Sequence, residues 1–218
     1  TPKELRDLLN EVVEEIPANP VKITDQAIYK SPGGNTVIDF DTPQSVTIFG
    51  HGGIKRTDKD FFAAYVLTHI LGGSGFGSRL MTELREKNGL TYGVSAYLAS
   101  WEKADLILGQ FASSNNTVME AISIVRKEWA ALAERGVTAD ELQDAKTFLT
   151  GAYPLRFDGN SRIARILVGM QSQGLPIDYI RTRNAKVNSV TIEDIKRVST
   201  RILKEKNLYF VIVGRPTS

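Results

Sequence analysis

Apolar residues recur at helical intervals at the start of the chain and then give way to short strand-like segments. Residues 1–4 have the spacing of a capping box with proline at the first helical position. An apolar stripe at intervals of three and four predicts a helix that ends before Pro17. Its members are Leu5, Leu8, Leu9, Val12, Val13 and Ile16. Segments rich in β-branched and aromatic residues then predict three strands, residues 20–29, 35–41 and 44–50.

The rest of the chain alternates between helices, a hairpin and a last strand. Glycine pairs and Asn88-Gly89 end the helices of the middle segment, and alternation on either side of Glu102-Lys103 indicates an antiparallel hairpin. A second capping box opens a helix at Thr138, and Pro154 kinks or ends it. The other predicted helices are residues 58–72, 78–87, 118–133, 161–173 and 191–204, and the predicted strands are 92–101, 104–113 and 207–214.

This order of elements is typical of an α+β fold, with helices packed on one face of a largely antiparallel sheet. The 218 residues contain no repeat or linker and are predicted to form a single domain. A net charge of +2 is too small to favour nucleic acid or an anionic membrane as the main partner. No apolar run reaches the ~20 residues of a transmembrane helix. The absence of cysteine excludes disulfides, thiolate metal sites and a cysteine nucleophile.

Several candidate motifs have structural interpretations. The glycine-rich run 72–78 lacks the Lys-Ser/Thr ending of a phosphate-binding loop and does not fit the pattern G-x-G-x-x-G. It also follows a predicted helix, whereas both motifs follow a strand, so it is interpreted as a connector between helices. His51 is interpreted as a loop residue and His69 as a helix-end residue near free carbonyls, and the two lack the spacing of a metal site. A basic cluster without interleaved aromatic residues is interpreted as the solvated face of a helix. Its members are Arg181, Arg183, Lys186, Lys196, Arg197, Arg201, Lys204 and Lys206.

Arg85 and Tyr92 form a sharper candidate site. Arg85 falls in the last turn of a predicted helix, Gly89 reverses the chain and Tyr92 begins the next strand. This arrangement can bring a guanidinium and a phenol to one side of the turn, where both offer hydrogen-bond donors to a carbonyl or an oxyanion. Composition alone favours a structural role, because a cation suits a helix C-terminus and tyrosine suits a strand.

The segments Ile70-Leu71-Gly72-Gly73, Ser78-Arg79-Leu80 and Leu84 to Tyr92 closely resemble the second half of pitrilysin-type zinc peptidases, the family of mitochondrial processing peptidase and insulin-degrading enzyme. The resemblance implies two homologous α+β halves that close around a peptide. In that family, the first half carries the zinc motif His-x-x-Glu-His. The second half carries an arginine and a tyrosine, seven residues apart, that bind the substrate backbone and help to stabilise the tetrahedral intermediate. Arg85 and Tyr92 have this spacing, and the zinc motif is missing from this sequence.

The resemblance therefore implies the substrate-binding, transition-state-stabilising half of a zinc metalloendopeptidase. Arg85 and Tyr92 are its predicted catalytic and substrate-binding residues, and no metal ligand is predicted in this chain. The chain alone is expected to be inactive, because zinc in a partner half, from the same precursor or a separate subunit, activates the attacking water. The expected substrate is a peptide. The start of the chain is expected to be trimmed, and the expected location is the periplasm or cell envelope.

Two other functions remain open. The main alternative is a non-catalytic structural subunit of the same fold, like the core proteins of the respiratory complex that contains ubiquinol–cytochrome c reductase. In that case Arg85 and Tyr92 are inherited or serve packing, and the concave face binds another protein. A weaker alternative is a module that adds a peptide strand to an exposed sheet edge.

Overall fold

The computed structural model describes residues 1–17, 25, 27, 29, 32–75, 77–101 and 103–217. The predicted strand over residues 20–29 lies outside this part of the chain, apart from residues 25, 27 and 29. The helices are α1 (Pro2–Val13), α2 (Phe61–Gly72), α3 (Arg79–Met81), α4 (Val118–Arg135), α5 (Ala139–Gly151), α6 (Asn160–Ser172), α7 (Tyr179–Asn188) and α8 (Ile192–Ile202). The strands are β1 (Gly34–Ile38), β2 (Gln44–Gly52), β3 (Val94–Ser100), β4 (Asp105–Ser114) and β5 (Tyr209–Val213).

The strands form one sheet in the order β1-β5-β2-β4-β3. β1 and β5 are parallel, and every other neighbouring pair is antiparallel, including the predicted β3–β4 hairpin. The mixed α+β architecture and the largely antiparallel sheet confirm the predicted fold class. None of the described helices combines the length and hydrophobicity needed to cross a membrane.

α1 begins at the predicted capping box but contributes nothing to the core. The Thr1 hydroxyl accepts a hydrogen bond from the Glu4 amide at 3.3 Å, and the terminal amine donates to the Glu4 carboxylate at 2.6 Å. No residue of α1 is buried, so its whole apolar stripe is exposed to solvent. Local caps therefore define this helix without help from packing.

Two helical segments differ from the prediction. The predicted helix over residues 78–87 is α3 followed by a π-helix, Thr82–Lys87, whose i→i+5 hydrogen bonds widen the turn. α7 was not predicted at all. One face of α7 buries Tyr179, Arg183 and Val187, which are spaced by four residues. Because the central member of this stripe is arginine, the hydrophobic period is interrupted and the sequence does not indicate a helix.

An aromatic cluster fills the inner face of the sheet. The Phe49 ring of β2 lies 5.4 Å from the Phe210 ring, 6.1 Å from the Phe111 ring and 6.0 Å from the Trp129 ring of α4, measured between centroids. Gly109 pairs with Phe49 across β2 and β4, and a β-carbon at Gly109 would overlap the Phe49 ring. The absence of a side chain at position 109 therefore makes room for the central ring of the core.

His51 belongs to this core, so its interpretation as a loop residue is wrong. It lies in β2 and is 2% exposed. Trp129 Nε1 donates to His51 Nε2 at 2.9 Å, and because the indole can only donate, the His51 Nδ1–H donates to the Gly52 carbonyl at 2.7 Å. A β-carbon at the neighbouring Gly50 would overlap the Ile107 carbonyl. Gly50 thus reflects the close approach of β4 and not a loop.

We expect Gly109→Ala to destabilise the protein by about 1–3 kcal/mol, because the new methyl group forces Phe49 out of its packed position. Urea unfolding measures the change in the free energy of unfolding. Gly93→Ala is the matched control, since a β-carbon there meets no atom within 4 Å. Equal effects of the two substitutions would contradict this account of the core.

We expect His51 to make stability pH-dependent below about pH 6.5, the unperturbed pKa of histidine. Burial lowers the pKa of His51, although the hydrogen bond to Gly52 raises it in part. The unfolded chain therefore binds more protons than the native protein in this range, and stability falls as the pH falls, by at most about 1.4 kcal/mol per pH unit. Unfolding experiments between about pH 7 and 5 measure this slope.

His51→Gln keeps a donor and an acceptor but does not titrate, so its slope should be shallower than that of the unmodified protein. His69→Gln is the matched control for the second histidine, whose pKa is also lowered by burial. An unchanged slope in His51→Gln would show that His51 is not the group responsible.

Candidate functional site

The bend that separates Arg85 from Tyr92 is built from backbone hydrogen bonds and one glycine. Arg85 lies in the π-helix, and its carbonyl accepts from the Gly89 amide at 3.0 Å. The Leu90 amide then donates to the Leu84 carbonyl at 2.7 Å. Gly89 has φ +60°, a left-handed conformation that glycine adopts without steric cost. The chain therefore reverses sharply between the helix and β3.

Side chains tie the bend to the neighbouring strand β4. The buried Ser113 hydroxyl donates to the Leu90 carbonyl at 2.6 Å. The Thr91 hydroxyl lies 2.7 Å from the Ala112 carbonyl and 2.9 Å from the Gly93 carbonyl. These contacts fix the backbone immediately before Tyr92 to the sheet, so the position of Tyr92 is set by the sheet register.

The structure brings the Arg85 and Tyr92 side chains together on one side of the bend. The Arg85 Cζ atom lies 5.1 Å from the centroid of the Tyr92 ring, within the range of a cation–π contact. Arg85 is half-buried, whereas Tyr92 is 89% exposed. Within the described part of the chain, the Tyr92 hydroxyl has no hydrogen-bond partner. A guanidinium and a phenol are thus held next to each other, with the phenol facing solvent.

An ion pair holds the helical segment that carries Arg85. Arg79 donates from Nε to Glu141 Oε1 at 2.6 Å and from Nη2 to Glu141 Oε2 at 2.8 Å, and Nη2 also contacts the Gly136 carbonyl at 2.9 Å. Burial raises the pKa of Glu141, but the hydrogen bonds from Arg79 and Thr138 outweigh it and lower the pKa overall. The bidentate contact ties the start of α3 to the first turn of α5, and the Gly136 contact ties it to the end of α4.

The described residues of this chain do not fit a zinc ion. Among the residues that the structure describes, no three His, Cys, Asp or Glu side chains converge on one point. Both ring nitrogens of His51 are engaged within the core. His69 lies in the last turn of α2, as the sequence predicts, and its ring stacks on Phe148 with centroids 4.9 Å apart. Burial lowers the pKa of His69.

The interpretation of the basic cluster as a solvated helix face is wrong for Arg183. This side chain is 4% exposed and lies on α7, separate from α8. It donates to the Leu149 carbonyl at 2.9 Å and to the Tyr65 hydroxyl at 3.0 Å. Arg183 lies between Tyr179 and Val187 on the buried face of α7, and its charge interrupts the apolar pattern there.

Two other members of the cluster join α8 to the residues that precede α2. Arg201 Nη2 lies 2.6 Å from an Asp58 oxygen, and Arg197 Nη2 lies 2.7 Å from an Asp60 oxygen. A hydrogen bond from Arg201 lowers the pKa of Asp58, and one from Arg197 lowers the pKa of Asp60. These arginines therefore have a structural role and are not available for an anionic partner.

Curated relatives place this fold among zinc-protease-related proteins. A protein of Helicobacter pylori named non-peptidase homolog YmxG is 30% identical over 179 residues, which are 82% of this chain and 41% of that protein. An uncharacterised zinc protease of Streptomyces coelicolor is 31% identical over 188 residues, which are 84% of this chain and 40% of that protein. The chain thus spans about two fifths of the length of these relatives.

Solved structures share the whole fold. A peptidase M16 inactive domain from Pseudomonas fluorescens is 27% identical with a TM-score of 0.86, covering 100% of this chain and 52% of that one. A chain of complex III2 from Candida albicans is 16% identical with a TM-score of 0.71, covering 84% of this chain and 46% of that one. The second likeness concerns the fold alone.

The family model described as "Peptidase M16 inactive domain" matches residues 1–149. Together with the relatives named zinc proteases, this match confirms the resemblance to the half of pitrilysin-type peptidases that lacks the zinc site. The chain belongs to the peptidase M16 inactive-domain family.

Proposed function

We propose that this chain is the substrate-binding, transition-state-stabilising half of a zinc metalloendopeptidase. The observation that carries the proposal is the contact between the Arg85 guanidinium and the Tyr92 ring at a bend anchored to the sheet. Two donors held next to each other in this way can bind one peptide group, and the exposure of Tyr92 leaves room for a substrate.

The proposed role needs no proton transfer from either residue. The guanidinium and the phenol are both hydrogen-bond donors, so both can donate to the oxygen of the scissile peptide. These hydrogen bonds strengthen as negative charge develops on that oxygen. They therefore stabilise the transition state of hydrolysis more than the bound substrate, and so lower the activation free energy. Zinc bound by the partner half would supply the activated water.

The partner is a homologous half with the His-x-x-Glu-His motif, in the same polypeptide or in a separate subunit. The length of the matched relatives supports this proposal, because the chain spans only 41% and 40% of the two described above. A two-half arrangement also explains how a family of zinc proteases includes a domain whose described residues do not fit zinc. The whole protein is proposed to act in the periplasm or cell envelope.

A structural subunit is the second candidate function. It is favoured by the relative named a non-peptidase homolog and by the shared fold with a chain of complex III2. In that case Arg85 and Tyr92 bind no substrate, and their contact serves only to stabilise the bend. Turnover by variants of the pair distinguishes the two functions.

We expect Arg85→Ala and Tyr92→Phe each to reduce peptide turnover by ~10²–10³-fold, the usual effect of removing one donor to a developing oxyanion. Turnover is measured with the protein assembled with its zinc-bearing half. The thermal transition of each variant should fall by no more than about 4 °C, because Tyr92 is almost fully exposed and an exposed cation–π contact contributes only about 0.5–1 kcal/mol.

Arg135→Ala and Tyr29→Phe are the matched controls. Arg135 is an exposed arginine in the last turn of α4, and Tyr29 is an exposed tyrosine outside the bend. Turnover within a few-fold of the unmodified protein in the Arg85 and Tyr92 variants would reject the proposed function. Reduced turnover together with a thermal transition lowered by clearly more than about 4 °C would assign the pair a structural role.

A further inference from the structure

Two adjoining cavities form a groove between α2, α6, α7 and the edge strand β3. The first cavity has a volume of about 530 Å³ and lies beneath α6, and the second has a volume of about 470 Å³ and reaches β3. We refer to the two together as the arginine groove. Both cavities are lined by Arg56, Phe61, Tyr65, Tyr153, Arg156 and Arg183.

The arginine groove has a strong and uncompensated positive charge. Arg56, Arg156, Arg162, Arg165 and Arg183 line the first cavity, whereas no carboxylate lines either one. Within the part of the chain that the structure describes, none of these five arginines forms an ion pair, although Arg79, Arg126, Arg197, Arg201 and Arg215 all do. Because like charges held close together repel one another, an anion in the groove would be strongly favoured.

Neutral groups hold two of these guanidinium groups in place. Arg56 Nη2 donates to the Tyr179 hydroxyl at 2.7 Å, and its Cζ lies 4.4 Å from the Phe61 ring centroid. Arg183 Cζ lies 4.2 Å from the Tyr153 ring centroid. Burial raises the pKa of Tyr153 and of Tyr179, so both hydroxyls remain protonated at neutral pH. The groove is therefore pre-organised with positive charge and hydroxyl groups, the donor set that recognises carboxylates.

The arginine groove runs along the free edge of the sheet. Residues 95–98 are consecutive in β3, and all four line the second cavity. Since successive side chains of a strand point to opposite faces, four consecutive residues share one groove only when it follows the edge of the strand. β3 is the last strand of the sheet, and Tyr92 lies just before its first residue, Val94. One strand thus connects the Arg85–Tyr92 pair with the arginine groove.

We infer that the arginine groove binds acidic side chains of the peptide substrate, and so selects peptides with a glutamate- or aspartate-rich segment beside the bond held by Arg85 and Tyr92. This inference rests on the proposed function. An elongated groove that begins at a free strand edge fits an extended chain with several carboxylates better than a compact anion.

The test is a binding measurement with the complete protein, including its zinc-bearing half, after a chelator has removed the metal so that no cleavage occurs. Two labelled peptides of equal length are compared by fluorescence anisotropy, one with glutamates where the other has glutamines. We expect the glutamate peptide to bind about tenfold or more tightly, with an advantage that decreases at high salt. Inorganic pyrophosphate is added as a third probe and should compete with the glutamate peptide.

The double variant Arg162→Gln/Arg165→Gln removes two of the five arginines and should strongly reduce the advantage of the glutamate peptide. Both side chains are exposed on α6, so the substitution leaves the buried Arg183 and its contacts intact. Arg181→Gln, which removes an exposed arginine outside the groove, is the matched control and should keep the advantage.

Equal affinity for the two peptides would overturn the inference and leave the proposed function standing. Tight pyrophosphate binding without a preference between the peptides would also overturn it, because the groove would then take a free anion. If the double variant keeps the full preference for the glutamate peptide over the glutamine peptide, acidic side chains bind elsewhere on the protein. That result would also overturn the inference. If neither peptide binds, both the inference and the proposed peptide-binding function are wrong.

Discussion

The packing of Phe49 into the space left by Gly109 is the contact on which the rest of the structure depends. It lies where β2 pairs with the middle of β4, and Gly109 also pairs with Ala96 of β3. A one-residue slip between these strands would turn the aromatic cluster towards solvent, so the register is strongly specified. The same register places Ser113 and Ala112 opposite the bend before Tyr92. The geometry of the candidate site therefore follows from the packing of the core.

The two regions with a proposed function lie along one strand and differ in their chemistry. In the proposed function, the Arg85–Tyr92 pair donates hydrogen bonds to a backbone oxygen, which every peptide has, so the pair does not distinguish between peptide sequences. The arginine groove presents charge, which only some side chains satisfy. A strand edge joins the two, so one extended peptide can contact both. In this arrangement reactivity and selectivity depend on different residues of the same half.

The errors of the sequence interpretation have a common cause. His51 and Arg183 are polar residues, and both were assigned to exposed positions, but both are buried. Each is buried with its hydrogen bonds made, His51 to Trp129 and Arg183 to Tyr65, and these partners are 78 and 118 residues away in the chain. Burial of a polar group has a low energetic cost only where such partners exist. Local sequence does not contain that information.

The sequence by itself determined the elements whose signals are local. The capping boxes at Thr1 and Thr138 define helix starts, alternation defines the β3–β4 hairpin, and the segment from Arg85 to Tyr92 identifies the family and the candidate site. Tertiary structure alone decided the π-helical turn, the helix α7 and the assembly of the arginine groove from α2, α6, α7 and β3. The physical reason is that caps and periodicity act between residues close in the chain, whereas the groove is formed by residues that only the packed sheet and helices bring together.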